Sequence, residues 1–95
     1  MQILDRERLE QFCRKHADAR KWIESWLGDV ETARWLRPDI RGHYASASFL
    51  AEGVVIFNVK GNAYRLEARI AYRTGIVAIE WAGTHAEYDE RNRKR

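Results

Sequence analysis

The chain has 95 residues, of which 45% are hydrophobic, 33% charged and 12% aromatic, enough for one packed core but not for a multi-domain enzyme or a disordered polymer. A single cysteine, Cys13, permits neither an internal disulfide nor a paired-thiol metal site, so no metal and no cofactor is expected. The formal net charge of +3 lies in the segment Glu90-Arg91-Asn92-Arg93-Lys94-Arg95, because the preceding residues carry thirteen cations and thirteen anions.

The opening residues, Met1 to Glu7, lack the apolar core of a signal peptide, and no apolar run approaches the roughly 18 residues of a bilayer span. A cytoplasmic location without a membrane partner is expected. Leu9, Phe12, Cys13 and His16 recur at helical spacing, as do Trp22, Ile23, Trp26, Val30 and Ala33, so helices are predicted over 6–16 and 19–35 with Asp5 and Asp18 as N-caps. Pro38 forbids simple continuation, and residues 39–50 read as a connector.

After residue 50 the period changes to that of strands. Val54 to Val59, Ala63 to Tyr72 and Ile76 to Ala82 are separated by Gly61-Asn62 and Thr74-Gly75, both candidates for two-residue turns. Ile3-Leu4 is a further short strand. Turns at these positions pair Asn58 with Arg65, Ile56 with Glu67, Arg69 with Glu80 and Arg65 with Thr84. One face then carries Val55, Phe57, Val59, Tyr64, Leu66, Ala68, Ile70, Val77, Ile79 and Trp81, and suits the helices. The expected fold is α+β, with two N-terminal helices packed on one face of a small antiparallel β-sheet: one domain over 1–90, and a basic tail over 91–95 whose composition allows disorder.

The same register gathers Asn58, Lys60, Arg65 and the Thr84-His85 segment at one end of the sheet. Arg73 lies eight residues along the strand from Arg65, about 26 Å at roughly 3.3 Å per residue, and is at best a peripheral contact. Taken alone, these residues leave bland uses open. Arg65 suits an ion pair on a solvated face, His85 a cap on the short segment after the last strand, Tyr88 a packing role, and Lys60 and Asn62 an exposed turn. His16 reads as a core-edge residue, and Trp22 and Trp26 as core.

The segments Ser46-Ala47-Ser48-Phe49, Val55-Ile56-Phe57-Asn58-Val59-Lys60-Gly61-Asn62 with Tyr64-Arg65-Leu66, and Thr84-His85-Ala86-Glu87-Tyr88-Asp89 resemble the HigB-type toxins of bacterial type II toxin-antitoxin systems, within the RelE-like group of mRNA interferases. Weaker similarity at Trp26, Ala33, Trp35 and Pro38-Asp39-Ile40 extends the match over nearly the whole chain to about residue 90. The resemblance implies a RelE-like fold and ribosome-dependent cleavage of translated mRNA. It also implies neutralisation by a HigA-type antitoxin, whose helix-turn-helix domain binds operator DNA.

Metal-independent cleavage through the RNA 2′-hydroxyl needs a base, an acid and cations for the developing phosphorane charge. Arg65 is accordingly expected at the scissile phosphate with Lys60 adding charge, His85 as the proton-transfer group oriented by Asp89, and Tyr88 as an acid or base-stacking ring. Asn58, Asn62, Arg73, Arg91, Arg93, Lys94 and Arg95 are the candidate RNA contacts. A non-catalytic nucleic-acid-binding module and a protein-interaction subunit are the competing classes.

Overall fold

The computed structural model describes residues 1–93. Strand β1 (Gln2–Leu4) leads into helix α1 (Arg6–Lys15), a 3-10 turn over Ala17–Ala19, α2 (Arg20–Thr32) and α3 (Arg37–His43). Then come β2 (Ser48–Phe49), a second 3-10 turn over Ala51–Gly53, β3 (Val54–Val59), β4 (Tyr64–Ala71), β5 (Ile76–Thr84) and α4 (His85–Arg93). The five strands form one sheet in the order β1-β5-β4-β3-β2. β1 runs parallel to β5, so the sheet is mixed rather than antiparallel throughout.

Alternation drives the core to one face of this sheet. Val55, Phe57, Val59, Leu66, Ala68, Ile70, Val77 and Ile79 are buried there together with Leu9, Phe12 and Cys13 of α1 and Ile23, Trp26 and Val30 of α2. Phe57 is the hub: Trp26 meets it edge-on at 5.4 Å between ring centroids, and Tyr44 does so at 5.3 Å, the geometry that the ring quadrupoles favour. Trp22 is half-buried against Tyr44, 5.9 Å between centroids.

Several boundaries differ from those expected, each for a local reason. α2 stops at Thr32, and the chain is extended through Ala33 and Leu36. Pro38 therefore opens α3 instead of a connector, its missing N–H falling where a helix has no use for one, while the Asp39 carboxylate accepts the Leu36 N–H at 2.8 Å. Asp5 is the N-cap of α1 as expected, although with φ of 64° and no side-chain bond, whereas Asp18 sits inside the 3-10 turn with its carboxylate directed at the sheet.

The β3–β4 pairing follows the expected register, including Asn58 with Arg65 and Ile56 with Glu67. The connection itself is wider, with the positive φ angles at Lys60 (52°) and Gly61 (70°) rather than at Asn62. The β4–β5 register does not follow. Its turn takes four residues, closed by the Gly75 N–H on the Ala71 carbonyl at 2.9 Å. Arg69 thus faces Ala78 and Arg65 faces Gly83. The Arg69–Glu80 ion pair survives at 2.8 Å as a diagonal contact.

A second irregularity follows. Ala68 pairs with Ile79 but Glu67 pairs with Trp81, which leaves Glu80 as an extra residue in β5, a β-bulge. Beyond it the alternation is reversed. Trp81, expected among the core residues, instead lies on the opposite face beside Glu67, where α4 also packs. The expected body-tail boundary at residue 90 falls inside this helix.

Candidate active site

Arg65 projects from β4 on the face opposite the core and turns back to the β3–β4 connection. Its Nη2 donates to Asn62 Oδ1 at 2.7 Å, and its Nη1 donates to the carbonyls of Tyr64 and Asn62 at 3.2 and 3.4 Å. All three acceptors are neutral, and Arg65 forms no ion pair with a carboxylate among the described residues. The guanidinium is thus held in place with its charge uncompensated, the state in which it can take up an anion bidentately. Its strand partner Asn58 donates from Nδ2 to the Ser46 carbonyl at 3.1 Å, which anchors the segment before β2.

The end of β5 brings α4 to the same place. The His85 N–H donates to the Ala63 carbonyl at 3.1 Å, tying the first residue of α4 to the connection that carries Asn62. Thr84 and Glu87 form a capping box: the Thr84 N–H donates to Glu87 Oε1 at 2.8 Å, and the Glu87 N–H donates to Thr84 Oγ1 at 3.1 Å. The Thr84 N–H, foremost, holds the Glu87 carboxyl below its ordinary 4.5, with smaller contributions from the Thr84 hydroxyl and the charges of His16 and Lys15. His85 itself therefore does not cap the helix.

His85 Nδ1 is shielded from water and lies 3.1 Å from an Asp89 carboxylate oxygen. That is ion-pair range, although the imidazole is out of line for a hydrogen bond. Tyr88 is half-buried against Trp81, with 5.9 Å between ring centroids. Arg91 lies with its guanidinium carbon 5.2 Å from the centre of the Trp81 ring and pairs with the buried Glu67 carboxylate at 2.6 Å. Gly83 makes this stacking possible, since a Cβ there would come within 2.7 Å of the indole.

Lys60 belongs to the other side of the turn. Its ammonium pairs with Asp18 at 3.2 Å, and the Tyr64 hydroxyl donates to the same carboxylate at 2.6 Å. The Tyr64 bond, and then that from Lys60, keep the Asp18 carboxyl below its usual 3.8. His16 stacks obliquely on Tyr64 at 4.9 Å and borders a cleft of about 440 Å³ that also takes in Lys15, Trp81 and Gly83. Asp18, His16 and Trp81 were not among the expected site residues. Asp18 sits in a segment whose N-cap signal masks any other use, and Trp81 is re-aimed by a bulge that side-chain alternation does not announce.

Arg73 is exposed in the β4–β5 turn, at the far end of β4 from Arg65. Arg91 is engaged with Glu67, and Arg93 pairs with Glu90 at 2.8 Å within α4. Lys94 and Arg95 lie outside the described residues. Four expected residues, Asn58, Asn62, Arg65 and His85, thus meet at one end of the sheet; Tyr88 follows one helical turn along α4. Among the described residues no group of three His, Cys, Asp or Glu side chains is arranged to hold a metal ion.

No helix among the described residues is long and apolar enough to cross a membrane. No curated protein matches the chain. A family model described as a RelE-like toxic component of a toxin-antitoxin system matches residues 19–91, a span that includes α2, the whole β3–β5 meander and the pinned start of α4. On that match the chain belongs to the HigB toxin family, and with it comes an antitoxin as partner.

Proposed function

We propose that the chain is a ribosome-dependent mRNA endoribonuclease that arrests translation, and that it is silenced by a HigA-type antitoxin, which also carries it to operator DNA. The observation that carries this reading is the bond from the His85 N–H to the Ala63 carbonyl, because it ties the backbone that bears the imidazole to the turn that orders the Arg65 guanidinium. In the reaction His85 accepts the proton of the RNA 2′-hydroxyl, and the oxygen attacks the adjacent phosphorus. The bond to the 5′-oxygen breaks, and Tyr88, three residues along the same helix face, protonates the leaving group. The products are a 2′,3′-cyclic phosphate and a 5′-hydroxyl.

Arg65 offsets the charge that builds on the phosphorane, with Lys60 adding to the positive potential from beyond the turn. The Asp89 carboxylate, 3.1 Å from Nδ1, orients the imidazole so that its other nitrogen faces the substrate. Asn58 and Asn62 supply neutral contacts to the nucleotide and hold Arg65 in place.

Arg65→Ala and His85→Ala, induced in cells with and without the antitoxin, test the reading. Each change abolishes growth arrest and removes the mapped cuts in translated mRNA, while capture by antitoxin is unchanged. Loss of a proton-transfer group slows cleavage by about 10² to 10⁴. Arrest that persists without cuts favours a non-catalytic binder, and full toxicity in both variants discards the site.

A further inference from the structure

Arg37 and Arg41 stand one helical turn apart on α3, outside the cluster around Arg65. Both guanidinium carbons lie 4.6 Å from the centre of the same ring, Phe49. Burial raises the Tyr72 phenol at the β4–β5 turn above its ordinary range, and the Arg37 charge opposes that rise. Arg34 donates to the Arg73 carbonyl in that turn at 2.8 Å. Four exposed arginines therefore lie along α3 and the β4–β5 turn, two of them stacked on Phe49.

None of the four forms an ion pair with a carboxylate among the described residues, as Arg6, Arg20 and Arg69 do elsewhere. Asp39, the acid in this stretch of chain, is committed to the Leu36 N–H. Charge of one sign left uncompensated over such an area calls for a polyanion. A guanidinium stacked on a ring keeps its donors in its own plane, where they suit the paired oxygens of a phosphate.

We infer that this surface binds the sugar-phosphate backbone of RNA without regard to sequence. An acidic protein segment fits less well, because Phe49 is already covered by both guanidinium groups and offers no apolar anchor for a partner's side chain. Arg73 lies in the turn beyond β4, whose run from Arg65 to Ala71 is roughly 20 Å at about 3.3 Å per residue, so at that end the surface engages a different part of the RNA from the site of scission. It does not depend on whether Arg65 and His85 cut.

The test uses the full chain carrying Arg65→Ala, so that the RNA stays intact, and follows fluorescence anisotropy of a labelled unstructured RNA and a labelled stem-loop over a salt series. Adding Arg37→Gln, Arg41→Gln and Arg73→Gln weakens binding of both RNAs about tenfold or more and lowers the slope of log affinity against log salt by about 2 to 3. Arg37→Lys with Arg41→Lys retains the slope. Should the triple change unfold the chain, Arg41→Gln and Arg73→Gln singly each lower the slope by about 1. An unchanged slope in these variants overturns the proposal, as does polyglutamate binding that depends on the arginines while RNA binding does not. Cleavage by chains with Arg65 intact is measured separately, so failure of the nuclease reading leaves this result interpretable.

Discussion

Lys60 holds a φ of 52° although it is not glycine, a conformation that costs on the order of 1 kcal/mol in a side-chain-bearing residue. Lys60→Gly relieves that strain and removes the ion pair to Asp18, which is exposed and contributes little. The expected outcome is stability within about 0.5 kcal/mol of the parent by urea unfolding, together with weaker mRNA cleavage; unimpaired cleavage would remove Lys60 from the site. Gly83→Ala acts differently, because the added methyl meets the Trp81 ring at 2.7 Å and a Glu87 oxygen at 3.0 Å. Overpacking of this kind costs about 1 to 3 kcal/mol, read as a lower unfolding midpoint with altered tryptophan fluorescence. At this scale Asn58 and Arg65 are legible because strict alternation and the β3–β4 register fix their neighbours, whereas His85 is held by a backbone bond to Ala63 that no register announces. The sharing of Asp18 between Tyr64 and Lys60 was not, since it joins residues more than forty apart that no local pattern connects.

Helix α4 shows why an element can be missed. Its start carries a capping signal, Thr84 followed three residues later by Glu87, but the nine residues His85–Arg93 contain no apolar stripe and none is fully buried. A search for amphipathic periodicity therefore passes over it. Thr84→Ala removes half of the capping box and costs about 1 kcal/mol, with a matching loss of helical signal by circular dichroism. The box also has a pH signature. Glu87 titrates below its ordinary 4.5 when folded, so its stabilisation is complete above that value and disappears as acidification passes through the folded-state pKa. Asp18, held below 3.8, adds loss of the same sign at lower pH. Glu87→Gln flattens the acid limb of the stability curve below pH 4.5; an unchanged limb would count against the cap. Helix α3 is hidden for another reason: in sequence Pro38 marks a terminator, whereas its position in the first turn makes it an initiator.

Across the whole molecule, the sequence conveyed the layer of helices on the apolar face but not the covering of the opposite one, because that depends on α4 and on the reversal in β5. The basic segment was read as an appendage, yet Arg91 is bound to Glu67 and stacked over Trp81. Arg91→Ala is therefore expected to lower stability by roughly 1 kcal/mol or more, which in a domain of this size moves the melting temperature by about 4 to 8 °C. A melting curve that overlays the parent's would make Arg91 a surface charge after all. Glu80, the bulged residue, has one more consequence. Inserting or deleting a single residue between Val77 and Trp81 exchanges inside for outside in everything downstream, whereas a change of two preserves it. Length variation within this stretch of β5 should consequently be tolerated in even steps and rejected in odd ones, a parity rule carried by one glutamate.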